Sequence, residues 1–201
     1  KVIKRQGHSA PFATQAPFYA LIEFETRTQV TSVALALFEQ CAAQGWVLDG
    51  VVSQSLAQTR ALWRLREDIS ETLWHWQPYK NDISVRVSKM SDFLAEVDQL
   101  VAARYPDFEI VWYGHIGDGN LHLNILKPED LPQTEFFERC GIVSLEIGEL
   151  LARYGGSISA EHGVGLLKKS LLPYSRSPVE IALMRSIKKT FDPKSILNPG
   201  K

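Results

Sequence analysis

The chain has 201 residues, 45% of them hydrophobic and 22% charged, enough to bury a core as one domain or at most two small ones. Its 22 basic residues nearly balance 23 acidic ones for a formal net charge of −1, and no basic run is dense enough to mark a nucleic-acid binder. No apolar run approaches the ~20 residues that cross a bilayer and no basic-then-apolar leader opens the chain, so a cytosolic protein is expected.

From the N-terminus, the aromatic and branched residues of 18–24 predict a strand, and helical spacing over 30–44 predicts a helix stopped by Gly45. A second strand is expected over 46–53, a helix with leucine and tryptophan at helical intervals over 58–76, ended by Pro78, and a short strand over 83–87. Ser91 reads as the N-cap of a helix reaching about residue 105, where Pro106 stops it, and a hairpin follows over 108–126. A long helix over 134–154 should end at Gly155-Gly156, with a strand over 157–161 leaving that turn. Ser177-Pro178-Val179-Glu180 combines an N-cap, an N1 proline and a capping-box glutamate, opening a helix through Ile181, Met184, Ile187 and Phe191 that Asp192-Pro193 closes.

Strands and helices alternate, yet two strands are joined by a tight hairpin, which an all-parallel sheet does not allow. The fold class expected is α+β, with an antiparallel or mixed sheet and helices packed against it. Cys41 and Cys140 lie far apart in helical segments and read as buried thiols, not a disulfide framework. The chain starts at Lys1 and stops after Asn198-Pro199-Gly200-Lys201, and both ends are expected to be cuts from something longer.

The hairpin carries the most chemistry. Asp118-Gly119 suits the centre of a two-residue type I′ turn, which pairs Gly117 with Asn120, Ile116 with Leu121, and His115 with His122. The two imidazoles are then cross-strand neighbours roughly 5 Å apart at Cβ. By parity His122 and Asn124 share a polar face while Leu121, Leu123 and Ile125 face the core. Two neutral imidazoles so placed suit zinc or another borderline divalent ion, and a third ligand is available in Ser159-Ala160-Glu161-His162-Gly163-Val164-Gly165. Glu161 completes a His, His, Glu set with an open position, leaving His162 as a general base, provided the glycines bend a strand that would otherwise point the two to opposite faces. The same residues also read as a stacked cross-strand pair and a surface hydrogen-bonded couple, and Gly163-Val164-Gly165 as a plain turn.

Arg66 and Ser70 stand four apart on one helical face and Lys80 follows that helix, a set suited to an anionic substrate or to a solvated face partnered by Glu67 and Asp68.

Three stretches taken together, Gly114 to Asn124, Ser159 to Gly163 and Phe191 to Lys201, resemble the C-terminal domain of FAD-linked oxidases, in the vanillyl-alcohol-oxidase type flavoprotein family. The resemblance covers essentially the whole chain. It implies a ferredoxin-like cap domain spanning 1–201, the C-terminal half of an enzyme whose N-terminal domain holds FAD and is missing here, so that this fragment alone is expected to be inactive. By that resemblance His115, His122 and Glu161 hold zinc or a similar ion, and His162 is the base. Arg66, Ser70, Lys80 and Asn124 bind substrate, and Asn198 contacts the cofactor. The family commonly has threonine where Ser70 stands, which keeps the hydroxyl, and its glycolate branch often has proline where Leu123 stands. The implied reaction is oxidation of a dicarboxylate-like D-2-hydroxy acid, D-2-hydroxyglutarate first, to the 2-oxo acid. D-lactate or glycolate is the alternative within the family, and a non-redox zinc-binding module or hydrolase the alternative from another class. Implied partners are the small-molecule hydroxy acid and an electron acceptor, either an electron-transfer flavoprotein, a quinone, a cytochrome or oxygen; a homodimer stays open.

Overall fold

Residues 1–25 and 30–201 are described by the computed structural model, in which the chain divides into two units, Lys1–His75 and Trp76–Lys201. The first unit contains α1 (Val2–Gln6), α2 (Val30–Ala43), α3 (Leu56–Glu67) and α4 (Ile69–Trp74). α2 follows the expected helix and gives way to Gly45, whose N–H donates to the Ala42 carbonyl at 2.9 Å. The Ser55 hydroxyl caps α3 by accepting the Gln58 N–H at 3.3 Å.

The helix expected over 58–76 starts earlier and is interrupted at Asp68, whose φ of −74° and ψ of 0° close α3 before α4 begins. The Asp68 carboxylate is engaged by His8 Nε2 at 2.6 Å and Arg64 at 3.4 Å, and these partners, His8 first, hold its pKa below the ordinary value.

The strands expected over 18–24 and 46–53 do not form. Neither segment joins a ladder among the described residues, and Phe18, Tyr19, Ile22, Phe24, Trp46 and Leu48 remain exposed. Branched and aromatic residues favour a strand only where a neighbouring strand offers cross-strand packing and hydrogen bonds, so their preference alone leaves these segments irregular. Among the described residues of this unit, only Thr72 and Leu73 are buried. Cys41, expected to be buried, is only half-buried because α2 buries none of its described residues.

The second unit is the α+β part. β1 (Tyr79–Ser84), β2 (Ile110–His115) and β3 (Asn120–Ile125) form one antiparallel sheet in the order β1-β3-β2. β1 ends earlier than the strand expected over 83–87, because Val87–Lys89 turns into a single 3-10 turn. That turn leads into α5 (Met90–Arg104), so Lys89 occupies the cap position and Ser91 lies inside the first turn.

Leu121, Leu123 and Ile125 of β3 face the core with Ile83 of β1, as parity requires. Phe93, Val97 and Val101 of α5 join them, together with Phe136, Cys140, Val143, Ile147 and Leu151 of α6 (Gln133–Tyr154), both series at the three-to-four spacing of a helix face. Burial pushes the Cys140 thiol up to about 12, in keeping with a packing role. α6 ends at Gly155, φ 63°, as expected. The expected strand over 157–161 reduces to one bridge, Ser84 with Ser157.

α7 (Pro178–Phe191) opens with the complete capping box read from its sequence: the Glu180 N–H donates to Ser177 Oγ at 3.3 Å and the Ser177 N–H to Glu180 Oε2 at 2.8 Å. Ser177→Ala should lower stability by about 0.5–2 kcal/mol, read as a lower urea midpoint at unchanged slope. Among the described residues no helix is long and apolar enough to cross a membrane.

Candidate metal and substrate site

The hairpin register differs from the expected one by two residues. β2 and β3 pair His115 with Asn120, Gly114 with Leu121, and Tyr113 with His122, leaving Ile116, Gly117, Asp118 and Gly119 as a four-residue loop. A type I′ turn needs φ above zero at both central residues, and here Gly119 is at +79° while Asp118 is not in that region. Asp118 instead uses its carboxylate to accept the Asn120 N–H at 3.0 Å, bridging two residues along its own chain. A shift of two keeps parity, so His115 and His122 still share a face, as diagonal neighbours with ring centroids 5.9 Å apart. Tyr113, opposite His122, packs its ring at 4.8 Å from the imidazole.

Glu161 reaches the same point. The donor atoms of His115, His122 and Glu161 lie within 4.8 Å of one another. Glu161 Oε1 is 3.4 Å from His115 Nε2 and 3.9 Å from His122 Nε2. Ligands about 2.0–2.1 Å from a tetrahedral ion stand roughly 3.3 Å apart, so two nitrogens and a carboxylate oxygen at these spacings fit a divalent metal after small side-chain adjustment. Half-exposed His115 and Glu161 leave the open side such a site needs for a substrate or water. The Asn120 amide donates to Glu161 Oε1, which fixes the carboxylate's rotamer.

Glu161 and His162 lie on bent, irregular backbone, so the constraint of a regular strand, which would send them to opposite faces, does not apply. The bend is held by Asp82 of β1. Its Oδ2 accepts the N–H groups of Ala160 at 3.2 Å and Glu161 at 3.1 Å, and its Oδ1 is 3.1 Å from His122 Nδ1, across the strand pair. His162 is 71% exposed at its side chain, with Nε2 3.9 Å from Asp82 Oδ2. Lys168 Nζ donates to the carbonyls of Ile158 at 3.1 Å and Asp82 at 3.4 Å; burial lowers its pKa, while the Asp82 charge acts in the opposite direction.

Lys80 and Asn124 are paired residues on β1 and β3, on the face that carries Asp82 and His122. Asn124 is 1% exposed, its Nδ2 donates to the His122 carbonyl at 3.2 Å, and its Oδ1 has no hydrogen-bond partner among the described residues. Arg66 and Ser70 belong to the first unit, Arg66 in the last turn of α3 and Ser70 in α4, on either side of the interruption at Asp68. Asn198 lies in the tail after α7 with a left-handed φ of 46°, its carbonyl accepting the Lys201 N–H at 3.2 Å. The sequence reading overlooked Asp82 and Asn120. Asp82 carries one signal: an acidic residue in a strand, at the parity that the hairpin assigns to the histidine face.

The family described as FAD linked oxidases, C-terminal domain, matches residues 1–201. A protein of Stutzerimonas stutzeri (strain A1501) named D-2-hydroxyglutarate dehydrogenase is 59% identical over 202 residues, covering 100% of this chain and 44% of that protein. The mitochondrial D-2-hydroxyglutarate dehydrogenase of Danio rerio is 38% identical, over 94% of this chain and 34% of its own length. A putative mitochondrial D-lactate dehydrogenase of Schizosaccharomyces pombe is 34% identical, over 100% of this chain and 39% of its own length. The chain thus spans less than half the length of these curated relatives.

Proposed function

This chain belongs to the family of FAD linked oxidase C-terminal domains, and on that premise we propose that it is the substrate- and metal-binding half of a flavin-dependent D-2-hydroxy acid dehydrogenase, with D-2-hydroxyglutarate as the preferred substrate. The observation that carries the reading is the convergence of His115, His122 and Glu161 within 4.8 Å, in a family whose members are oxidoreductases. FAD is held mainly by an N-terminal domain in this reading, with Asn198 contributing from this chain. The electron acceptor is an electron-transfer flavoprotein, a quinone or a cytochrome. The family assignment sets aside the hydrolase alternative.

A divalent ion such as zinc on His115, His122 and Glu161 supplies a Lewis acid beside the substrate hydroxyl, and FAD supplies an acceptor for hydride. His162 Nε2 takes the hydroxyl proton, the exposed position of its ring leaving it able to reach a bound substrate. Asn124 Oδ1, buried and without a partner, accepts a hydrogen bond from the substrate. Arg66 and Lys80 bind the two carboxylates and the Ser70 hydroxyl supports one of them, so that the α-hydrogen leaves with its electron pair from one face and a 2-oxo acid remains.

The D-lactate reading is favoured by the Schizosaccharomyces pombe relative's name. Lys80 separates the two, since a second carboxylate needs a second cation. Lys80→Ala should weaken kcat/KM for D-2-hydroxyglutarate by about 10–100-fold, the worth of a charged hydrogen bond, and leave D-lactate turnover unchanged. The reading as a whole is tested by anaerobic bleaching of the flavin in the full-length protein with D-2-hydroxyglutarate, D-lactate and glycolate, with and without chelator. Bleaching by the dicarboxylate that chelation abolishes supports it, selective bleaching by lactate or glycolate changes the substrate, and absence of flavin overturns it. A cytosolic location belongs to the same proposal, and the mitochondrial name of the Danio rerio relative marks the alternative compartment.

A further inference from the structure

We infer that Asp82 is the positioning residue of the ligand set: its single carboxylate fixes the proton of His122 and the backbone of Glu161 at once. The inference rests on the metal reading above and deepens it. An imidazole offers Nε2 to a metal only if its proton sits on Nδ1, and the ring's tautomer follows whatever Nδ1 faces. Nδ1 of His122 lies 3.1 Å from Asp82 Oδ1, a buried acceptor that no hydrogen bond from the described residues satisfies in this conformation, so a small rotation of the ring with the proton on Nδ1 meets that oxygen and leaves the lone pair of Nε2 on the side of Glu161, 3.9 Å away. The other oxygen of the same carboxylate accepts the N–H groups of Ala160 and Glu161, at 3.2 and 3.1 Å. Two donors that are 39 residues apart in sequence, at 122 and 161, are thus referred to one side chain that is 10% exposed.

A purely architectural role for Asp82, holding the 157–161 segment to β1, is already filled. Ser84 and Ser157 exchange two backbone hydrogen bonds, at 3.0 and 2.8 Å, and Lys168 ties Ile158 to the Asp82 carbonyl. What those bonds cannot do is choose a tautomer. A side chain with an acceptor on both arms is needed for that, and an amide at this position has an acceptor on only one.

Asp82→Asn is therefore the discriminating variant. Its carbonyl arm still accepts from Ala160 and Glu161, while its NH2 arm faces His122 and moves the ring proton to Nε2. The experiment uses the full-length protein, stripped by chelation and titrated with zinc against a competing chelator. The ring tautomer of His122 is read by long-range proton–nitrogen NMR on 15N-histidine-labelled protein, the signal being assigned by its loss in His122→Ala. Expected are a proton on Nδ1 in the wild type, a proton on Nε2 in Asp82→Asn, zinc affinity weakened about 10–100-fold in that variant, and zinc binding abolished in His122→Ala. Wild-type affinity and tautomer in Asp82→Asn overturn the inference and leave the metal reading standing. Equal zinc binding by the wild type and His122→Ala overturns the metal reading, and the inference with it. If Asp82→Asn is unfolded by circular dichroism, the metal-free wild type decides alone: a His122 proton on Nε2 rejects the role assigned to Asp82.

Discussion

His162→Ala should slow flavin reduction by the full-length enzyme about 10²–10⁴-fold while leaving zinc content unchanged. The magnitude is that of a positioned general base, and its separation from zinc binding follows from the geometry. His162 stands outside the three-atom set formed by His115, His122 and Glu161, so its removal takes away no ligand. Stopped-flow reduction of the flavin with D-2-hydroxyglutarate measures the first quantity and metal analysis the second. A variant that loses zinc together with activity would assign His162 to the ligand set instead of the base.

Gly119→Ala should cost several kcal/mol, whereas Gly117→Ala, two residues earlier in the same loop, should cost within about 0.5 kcal/mol. Gly119 has φ +79°, and a Cβ built on it lies 1.9 Å from the Val85 carbonyl oxygen. The left-handed backbone alone disfavours alanine by ~1–2 kcal/mol. Relieving the clash also pulls apart the bond in which the Val85 N–H donates to the Gly119 carbonyl at 3.1 Å, adding about 1–3 kcal/mol if that group is left unmet. A Cβ on Gly117 meets nothing within 4 Å. Thermal unfolding should therefore fall by about 5–15 °C for Gly119→Ala and hardly move for its neighbour. Because the loop carries His115 at its edge, the zinc affinity of Gly119→Ala should fall as well. Equal melting temperatures for the two variants would refute the close approach.

Which features were readable in sequence follows from how local their causes are. The capping box at Ser177 and the glycine stop at Gly155 depend on atoms within one turn, and both appear where the residue pattern put them. Side-chain parity on β3 survived a wrong turn type, since the register moved by two and not by one, so the leucine face and the histidine face were assigned correctly. The turn itself was misread because Asp118 bonds to the Asn120 N–H, a side-chain choice that the dipeptide Asp-Gly does not reveal. The composition of 18–24 and 46–53 favours strands, but strand formation depends on a distant partner that composition does not encode. Asp82 was missed for a related reason. Its role exists only once β1 lies beside β3 and the 157–161 segment has turned back toward it, and β1 with that segment is separated by some eighty residues, as the Asp82 bonds to Ala160 and Glu161 show.

The two irregular segments of the first unit have a colloidal consequence. Phe18, Tyr19, Ile22 and Phe24, with Trp46, Leu48, Val51 and Val52, expose apolar side chains along irregular backbone that forms no ladder among the described residues. Such stretches, of high strand preference and with few charges, are the templates on which chains add to one another edge to edge. Glu23 and Asp49 are the only acidic residues within them, and Lys and Arg are absent from both. Charge repulsion between copies is therefore thin along these two segments, and adding a lysine or glutamate within either should raise the solubility of the chain, read as a higher concentration at the onset of light scattering.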